Sequence, residues 1–303
     1  MRKRMGAAFM AMAMVCAGVT ACSSGASAPA ATKAESKAEE KADESKEETG
    51  GEKKDGYVIG LAMNTQTNPF FVDVKDGVQK AADEHGIELY ITDAQDDPTI
   101  QMKDVENLIT KNPDAIIIDT CDSDAIVSSI EACNEAGIPV FTMDREANGG
   151  DVISHIGYDA IKSGKLAGQF LVDSLGGKGK IVELQGIMGT NVAQQRSEGF
   201  NSVIAENPDM EIVACQVADF DRAKAMSVME NILQANPEID GLYAANDEML
   251  LGALEAMDAA GKDSTVKHVM GCVNPQGIDV HSFKQPTSEE LSHDYLWRAM
   301  KAL

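Results

Sequence analysis

One set of side chains in this sequence can hold a small polar molecule: Asn68, Phe70, Phe71, Asp144, Arg145, Arg196, Phe220 and Asn246. Amide, carboxylate and guanidinium groups present paired donors or acceptors, so each can grip two neighbouring hydroxyls at once. The phenylalanines add flat apolar plates. A carbohydrate carries hydroxyls around its rim and C–H patches on its faces, so forks at the edge and rings above and below match it. Hydrogen bonds to charged groups contribute roughly 1.5 to 3 kcal/mol each, and a few of them in a water-excluded cleft give tight binding. Such a site rejects analogues that lack a hydroxyl, because its own polar groups are then left unpaired.

Each of these residues also has a plainer reading. Phe70 and Phe71 open a helix, and the pattern alone serves the core as readily as a ligand. Asp144 and Arg145 can form a surface ion pair. Asn68 can shape an Asn-Pro turn, and Asn246 can cap the helix that follows it.

The elements that must position this set follow from periodicity. Short β-rich apolar runs at 58–63, 87–92, 115–119 and 138–143 are bounded by Gly, Pro or Asp and separated by segments of helical length. Phe70, Phe71, Val74, Val78, Ala81 and Ala82 fall at helical spacing, and Gly86 supplies the stop. The pattern returns with strands at 180–184, 211–215, 241–245 and 266–270, and helices at 192–206, 222–235 and 248–260. This predicts an α/β protein of two doubly wound, Rossmann-like parallel-sheet lobes, 57–158 and 159–271, joined by a hinge near Tyr158 and Asp159. Ligands of open α/β sheets bind beyond the carboxyl ends of the strands. The candidate residues lie in those loops or open the helices that follow them.

Composition limits the alternatives. The 303 residues are 44% hydrophobic, enough for a core, and 26 Lys plus Arg against 49 Asp plus Glu give a net charge of −23. Phosphate binding needs a basic footprint, so nucleic acid is excluded as a partner. Six cysteines show no CxxC spacing, and neither a metal nor any other cofactor is implied. Cys121, Cys133 and Cys215 adjoin apolar runs and are expected to be small buried hydrophobes. Met226, Met229 and Met257 sit at helical spacing as core filler. Asp122 and Asp124 fit a helix start, and 176–180 fits a turn better than a phosphate loop.

Residues 1–22 carry Arg2, Lys3 and Arg4 ahead of an apolar stretch, the form of an export signal. They end in Val19-Thr20-Ala21-Cys22, which resembles the lipobox of bacterial lipoproteins and implies acylation of Cys22. Residues 23–56, rich in Ala, Ser, Lys and Glu, cannot bury enough surface to fold and read as an acidic tether.

The folded part resembles the ribose-binding branch of the periplasmic binding proteins, the substrate receptors of sugar ABC importers. The resemblance runs through Asn-Pro-Phe-Phe at 68–71, Thr-Asp-Ala-Gln at 92–95, Asp-Ser-Asp-Ala at 122–125 and Asp-Arg at 144–145. It continues through Glu-Leu-Gln-Gly-Ile at 183–187, Arg-Ser-Glu-Gly-Phe at 196–200, Asp-Phe-Asp-Arg at 219–222 and Asn-Asp-Glu-Met at 246–249. It implies two lobes that hinge shut on a monosaccharide, with Asn68, Phe70, Phe71, Asp144 and Arg145 from the first and Arg196, Phe220 and Asn246 from the second. It further implies a monomer that delivers its sugar to an ABC permease, held at the membrane by the lipid on Cys22.

The pattern breaks after Gly271. Where the family continues with Phe-Asp, this sequence reads Cys272-Val273-Asn274-Pro275, and the stretch from His268 gathers three of five histidines and Trp297. Residues 272–303 are accordingly expected to be an aberrant tail from a shifted frame or truncation. Two other classes use the same fold or ligand. A lactose-repressor-type regulator of the same fold would need a helix-turn-helix where the signal and tether stand, whereas a chemoreceptor or quorum-signal ligand role stays within the same binding class. A glycan-processing enzyme would need two carboxylates flanking one bond, whereas Asp144 beside Arg145 suits gripping hydroxyls.

Overall fold

The structure, a computed structural model, describes residues 56–262 and 265–271. The expected export signal, Cys22 and its acylation, all but the last residue of the tether, and the tail 272–303 lie outside the described residues.

The first lobe is a parallel five-stranded sheet in the order β2-β1-β3-β4-β5, built from β1 (Val58–Met63), β2 (Glu88–Asp93), β3 (Ala115–Ile118), β4 (Val140–Met143) and β5 (Ser154–Ile156). Helices α1 (Pro69–His85), α2 (Pro98–Ile109) and α3 (Val127–Glu135) cover it. Successive strand residues feed opposite faces. Ile59, Leu61 and Met63 join Ile117, Phe141 and α1 on one side, while Ala62, Ile116, Ile118 and Val140 pack with α2 and α3 on the other. Burial on both faces is why these strands read as continuous apolar runs.

The second lobe repeats the plan with a four-stranded parallel sheet, order β7-β6-β8-β9, from β6 (Gly179–Gln185), β7 (Met210–Val217), β8 (Gly241–Ala244) and β9 (Lys267–Met270). Its helices are α4 (Ala160–Leu175), α5 (Asn191–Ala205), α6 (Arg222–Ala235) and α7 (Asp247–Ala259). Between α4 and α5 the backbones nearly touch. A Cβ on Gly164 would stand 2.1 Å from the Arg196 carbonyl oxygen, and one on Gly199 would stand 2.0 Å from that of Ile161. Only glycine permits this crossing, which fixes the turn of α5 that carries Arg196.

The described chain passes between the sheets at 157–159, after β5 and before α4, whose first turn is capped by Asp159 accepting from the Lys162 N–H at 2.8 Å. Strand ends shift from the sequence reading by up to two residues, as in β4, which starts at Val140 rather than at 138. Strand β2 starts one residue later, because Gly86 ends α1 in the left-handed conformation and the Ile87 N–H bonds back to Ala82. Strand β5 was not foreseen: three residues with polar members carry no readable period. Cys215, expected to be buried, is exposed, because β7 is a sheet edge. Met229 and Met257 are buried as expected.

Candidate functional site

The loops after the strands converge at the junction of the lobes, and their backbones are strained there. Gln95 and Asp96 after β2, Asp144 after β4, and Asp219 and Phe220 after β7 all have φ between 52° and 59°. A left-handed conformation costs a non-glycine residue of order 1 to 3 kcal/mol, and a bulky aromatic adopts it only under strong constraint. For Phe220 the constraint is visible. A Cβ on Gly186 would fall 2.0 Å from Cζ of its ring, so the loop after β6 is pressed against that ring.

Arg145 is the centre of the cluster. It is 2% exposed, and its guanidinium donates to the Thr120 carbonyl at 3.3 Å and meets Oδ1 of Asp96 at 3.4 Å. Its Cζ lies 5.0 Å from the ring centre of Phe71 and 5.5 Å from that of Phe220, so a first-lobe cation rests against rings of both lobes. From the second lobe, Arg196 comes within 5.7 Å of the same Phe220 ring and 5.2 Å of Tyr158, and donates to the Ala245 carbonyl at 2.6 Å. Asn246 caps α7 by accepting the Met249 N–H at 3.0 Å, and its Nδ2 donates to the Phe220 carbonyl at 3.3 Å.

The predicted residues therefore fall into a tight group and a rim. Phe71, Arg145, Arg196, Phe220 and Asn246 are linked through Phe220 and Arg145. Asp144 adjoins Arg145 and is buried. Phe70 is half-buried, with its ring edge-on to Phe71 at 5.0 Å, and Asn68 caps α1 by accepting the Phe70 N–H at 3.0 Å. The cap and turn readings of Asn246 and Asn68 are thus realised, and Asn246 in addition reaches the Phe220 carbonyl.

The structure adds residues that the sequence did not single out. At the carboxyl ends of the adjacent strands β1 and β3, Asn64 and Asp119 are fully buried. Nδ2 of Asn64 meets Asp96 Oδ1 at 3.5 Å, so Asn64 and Arg145 share one carboxylate oxygen. Burial pushes the Asp119 carboxyl well above the ordinary aspartate range; Arg145 opposes the shift, and Asp144 and Asp96 reinforce it. Among the described residues, neither Asp119 oxygen, nor Asn64 Oδ1, nor Arg145 Nε has a partner in hydrogen-bond geometry, although the Arg145 backbone N–H is close enough to offset part of the Asp119 shift. Buried polar groups left in this condition are costly, and a molecule that supplies hydroxyls relieves the cost. Tyr158, placed at the hinge by the sequence, also stacks on Arg196. The sequence signal for Asn64 and Asp119 was a polar residue directly ending an apolar strand.

Comparisons with known proteins agree with this architecture. The profile of the periplasmic binding protein domain family matches residues 59–281. The chain is similar to the ribose import binding protein RbsB of Bacillus subtilis, 43% identical over 71% of this chain and 70% of that protein. It is likewise similar to RbsB of Escherichia coli K12, 42% identical over 69% of this chain and 70% of that protein. Among solved structures, an ABC transporter solute binding protein of Bacillus halodurans C-125 with bound myo-inositol superposes with a TM-score of 0.74 at 31% identity, covering 83% of this chain and 90% of that one.

Proposed function

The chain belongs to the periplasmic binding protein domain family, and from that premise we propose that it is the sugar-capturing component of an ABC importer. It is an exported lipoprotein, anchored through acylated Cys22, that encloses a monosaccharide between its lobes as a monomer and presents it to a membrane permease. Ribose or a similar pentose is the ligand, in keeping with the relatives named for ribose import.

The observation that carries this reading is the Arg145 guanidinium lying between Phe71 of its own lobe and Phe220 of the other. A fork flanked by two rings at a lobe junction is built to hold hydroxyls against C–H faces. Asn68, Phe70, Phe71, Asp144 and Arg145 supply one wall, and Arg196, Phe220 and Asn246 the other. Asp144 sits beside a cation, so it accepts hydroxyl donors; the role of the site is capture, with no bond made or broken.

Titration calorimetry of the purified chain, checked for folding by circular dichroism, tests this with ribose, allose, xylose, galactose and myo-inositol. Saturable binding of one sugar per chain is expected. A folded chain that gives no heat with any of the five overturns the proposal.

A further inference from the structure

Away from the rings, a second set of contacts joins the lobes, and it consists wholly of hydrogen bonds. Ser123, in the turn after β3, donates its backbone N–H to the Gly189 carbonyl at 3.0 Å and accepts the Asn191 N–H on Oγ at 3.0 Å. Asn191 opens α5 in the second lobe and returns its side-chain amide to the first. Its Oδ1 accepts the backbone N–H of Glu146 at 2.9 Å, and its Nδ2 donates to Glu146 Oε2 at 2.8 Å.

Both halves are prepared within their own lobes. The Glu146 carbonyl accepts from Ser123 Oγ at 2.7 Å and Thr120 Oγ1 at 3.2 Å, which fixes the backbone that Asn191 reads. The other carboxylate oxygen of Glu146 lies 3.8 Å from His155 Nε2, whose Nδ1 is bonded to Thr142 Oγ1 at 2.9 Å. Thr190, preceding Asn191, is the N-cap of α5 and accepts the Ala193 N–H. Ser123 and Asn191 are buried. None of Ser123, Glu146 and Asn191 belongs to the ring-and-fork group.

We propose that Asn191 and Glu146 are positioning residues that clasp the two lobes together, setting how long a captured ligand is held without touching it. The two-pronged amide contact exists only while the lobes are together. It therefore adds to the stability of the shut arrangement alone and shifts the balance between open and shut states. Opening exposes both partners to water, which re-satisfies them, so the clasp is reversible. The use of sugar as a probe rests on the function proposed above; the clasp itself does not.

Asn191→Ala, Glu146→Ala and the double variant are compared with the parent chain in stopped-flow sugar release and in small-angle scattering without ligand. Asn191→Ala, which removes both prongs, is expected to weaken affinity about tenfold, mainly through faster release; Glu146→Ala, which loses the Oε2 acceptor but keeps the backbone N–H, should have the smaller effect, and the double variant should be no worse than Asn191→Ala. Glu146→Gln, which still offers an acceptor to Asn191 Nδ2, should keep a nearly parental release rate. The ligand-free Ala variants should show a larger radius of gyration than the parent. Unchanged release and unchanged scattering in folded Ala variants, or fully additive losses, overturn the clasp. If no sugar binds even the parent, the function proposed above fails while the scattering comparison still decides the clasp.

Discussion

The Arg145 guanidinium and the Phe220 ring come from different lobes, and Cζ lies 5.5 Å from the ring centre. Arg196 approaches the same ring at 5.7 Å, so two cations converge on one aromatic plate. This brings two like charges near each other, and the Asp96 carboxylate, 3.4 Å from the Arg145 guanidinium, offsets it.

Arg145→Lys keeps the charge but loses the planar fork and its stacking. With charged hydrogen bonds worth roughly 1.5 to 3 kcal/mol, sugar affinity should fall by about ten- to a hundredfold in calorimetry. Arg145→Ala should also lower the Tm, because Asp96 loses its ion-pair partner and the buried Thr120 carbonyl its donor. Parental affinity in Arg145→Lys would remove Arg145 from the site.

Gly186→Ala tests the placement of Phe220. The added methyl would stand 2.0 Å from Cζ of the ring, so the ring must leave its position at an overpacking cost of about 1 to 3 kcal/mol. We expect sugar binding to be reduced as severely as by Phe220→Ala, with the far-UV circular dichroism unchanged.

Asp119→Asn separates charge from shape. The folded carboxyl titrates above its ordinary value of 3.8, so the folded state keeps a proton that the unfolded chain has lost. The stability contributed by this group is fully present below the unfolded value and is lost as pH rises through the folded one. The variant escapes that loss, so its Tm should gain on the parent's as pH rises from about 4 to 8. A difference that does not change with pH would contradict the assignment.

Asn246 has two jobs that substitution can divide. Asn246→Asp keeps the acceptor for the Met249 N–H but loses the donor to the Phe220 carbonyl. It should unfold near the parental urea midpoint while binding sugar more weakly. Asn246→Ala should lose about 1 kcal/mol of stability as well, the usual cost of an N-cap.

Cys215 is exposed yet should react slowly with iodoacetamide. Although the residue is exposed, its Sγ is partly shielded from water, and this, together with Glu183, whose Oε2 accepts from Sγ at 3.4 Å, pushes its pKa up to about 12. Glu183→Gln should raise the alkylation rate at pH 8, read by mass spectrometry.

Local pattern made much of this molecule legible. The apolar run at 58–63 marks β1, and Asn68-Pro69 with Gly86 marks both ends of α1. The rule that ligands sit beyond the carboxyl ends of strands selected loops that do meet, including Arg145 and Phe220. Asp119 carried no distinctive sequence signal, because a polar residue at a strand end is ordinary until strand order encloses it among Asp96, Asp144 and Arg145.

The sequence by itself determined the alternation of strands and helices, the two parallel-sheet lobes and the strand-end loops that carry amides, charges and rings, because periodicity and capping act over a few residues. Only the tertiary structure decided which of those loops touch. Asn191 and Glu146 stand 45 residues apart, and the fit of Gly186 against Phe220 depends on the register of β6 against β7. Such contacts are set by how two independently wound sheets face one another, and nothing in the local pattern of either encodes that.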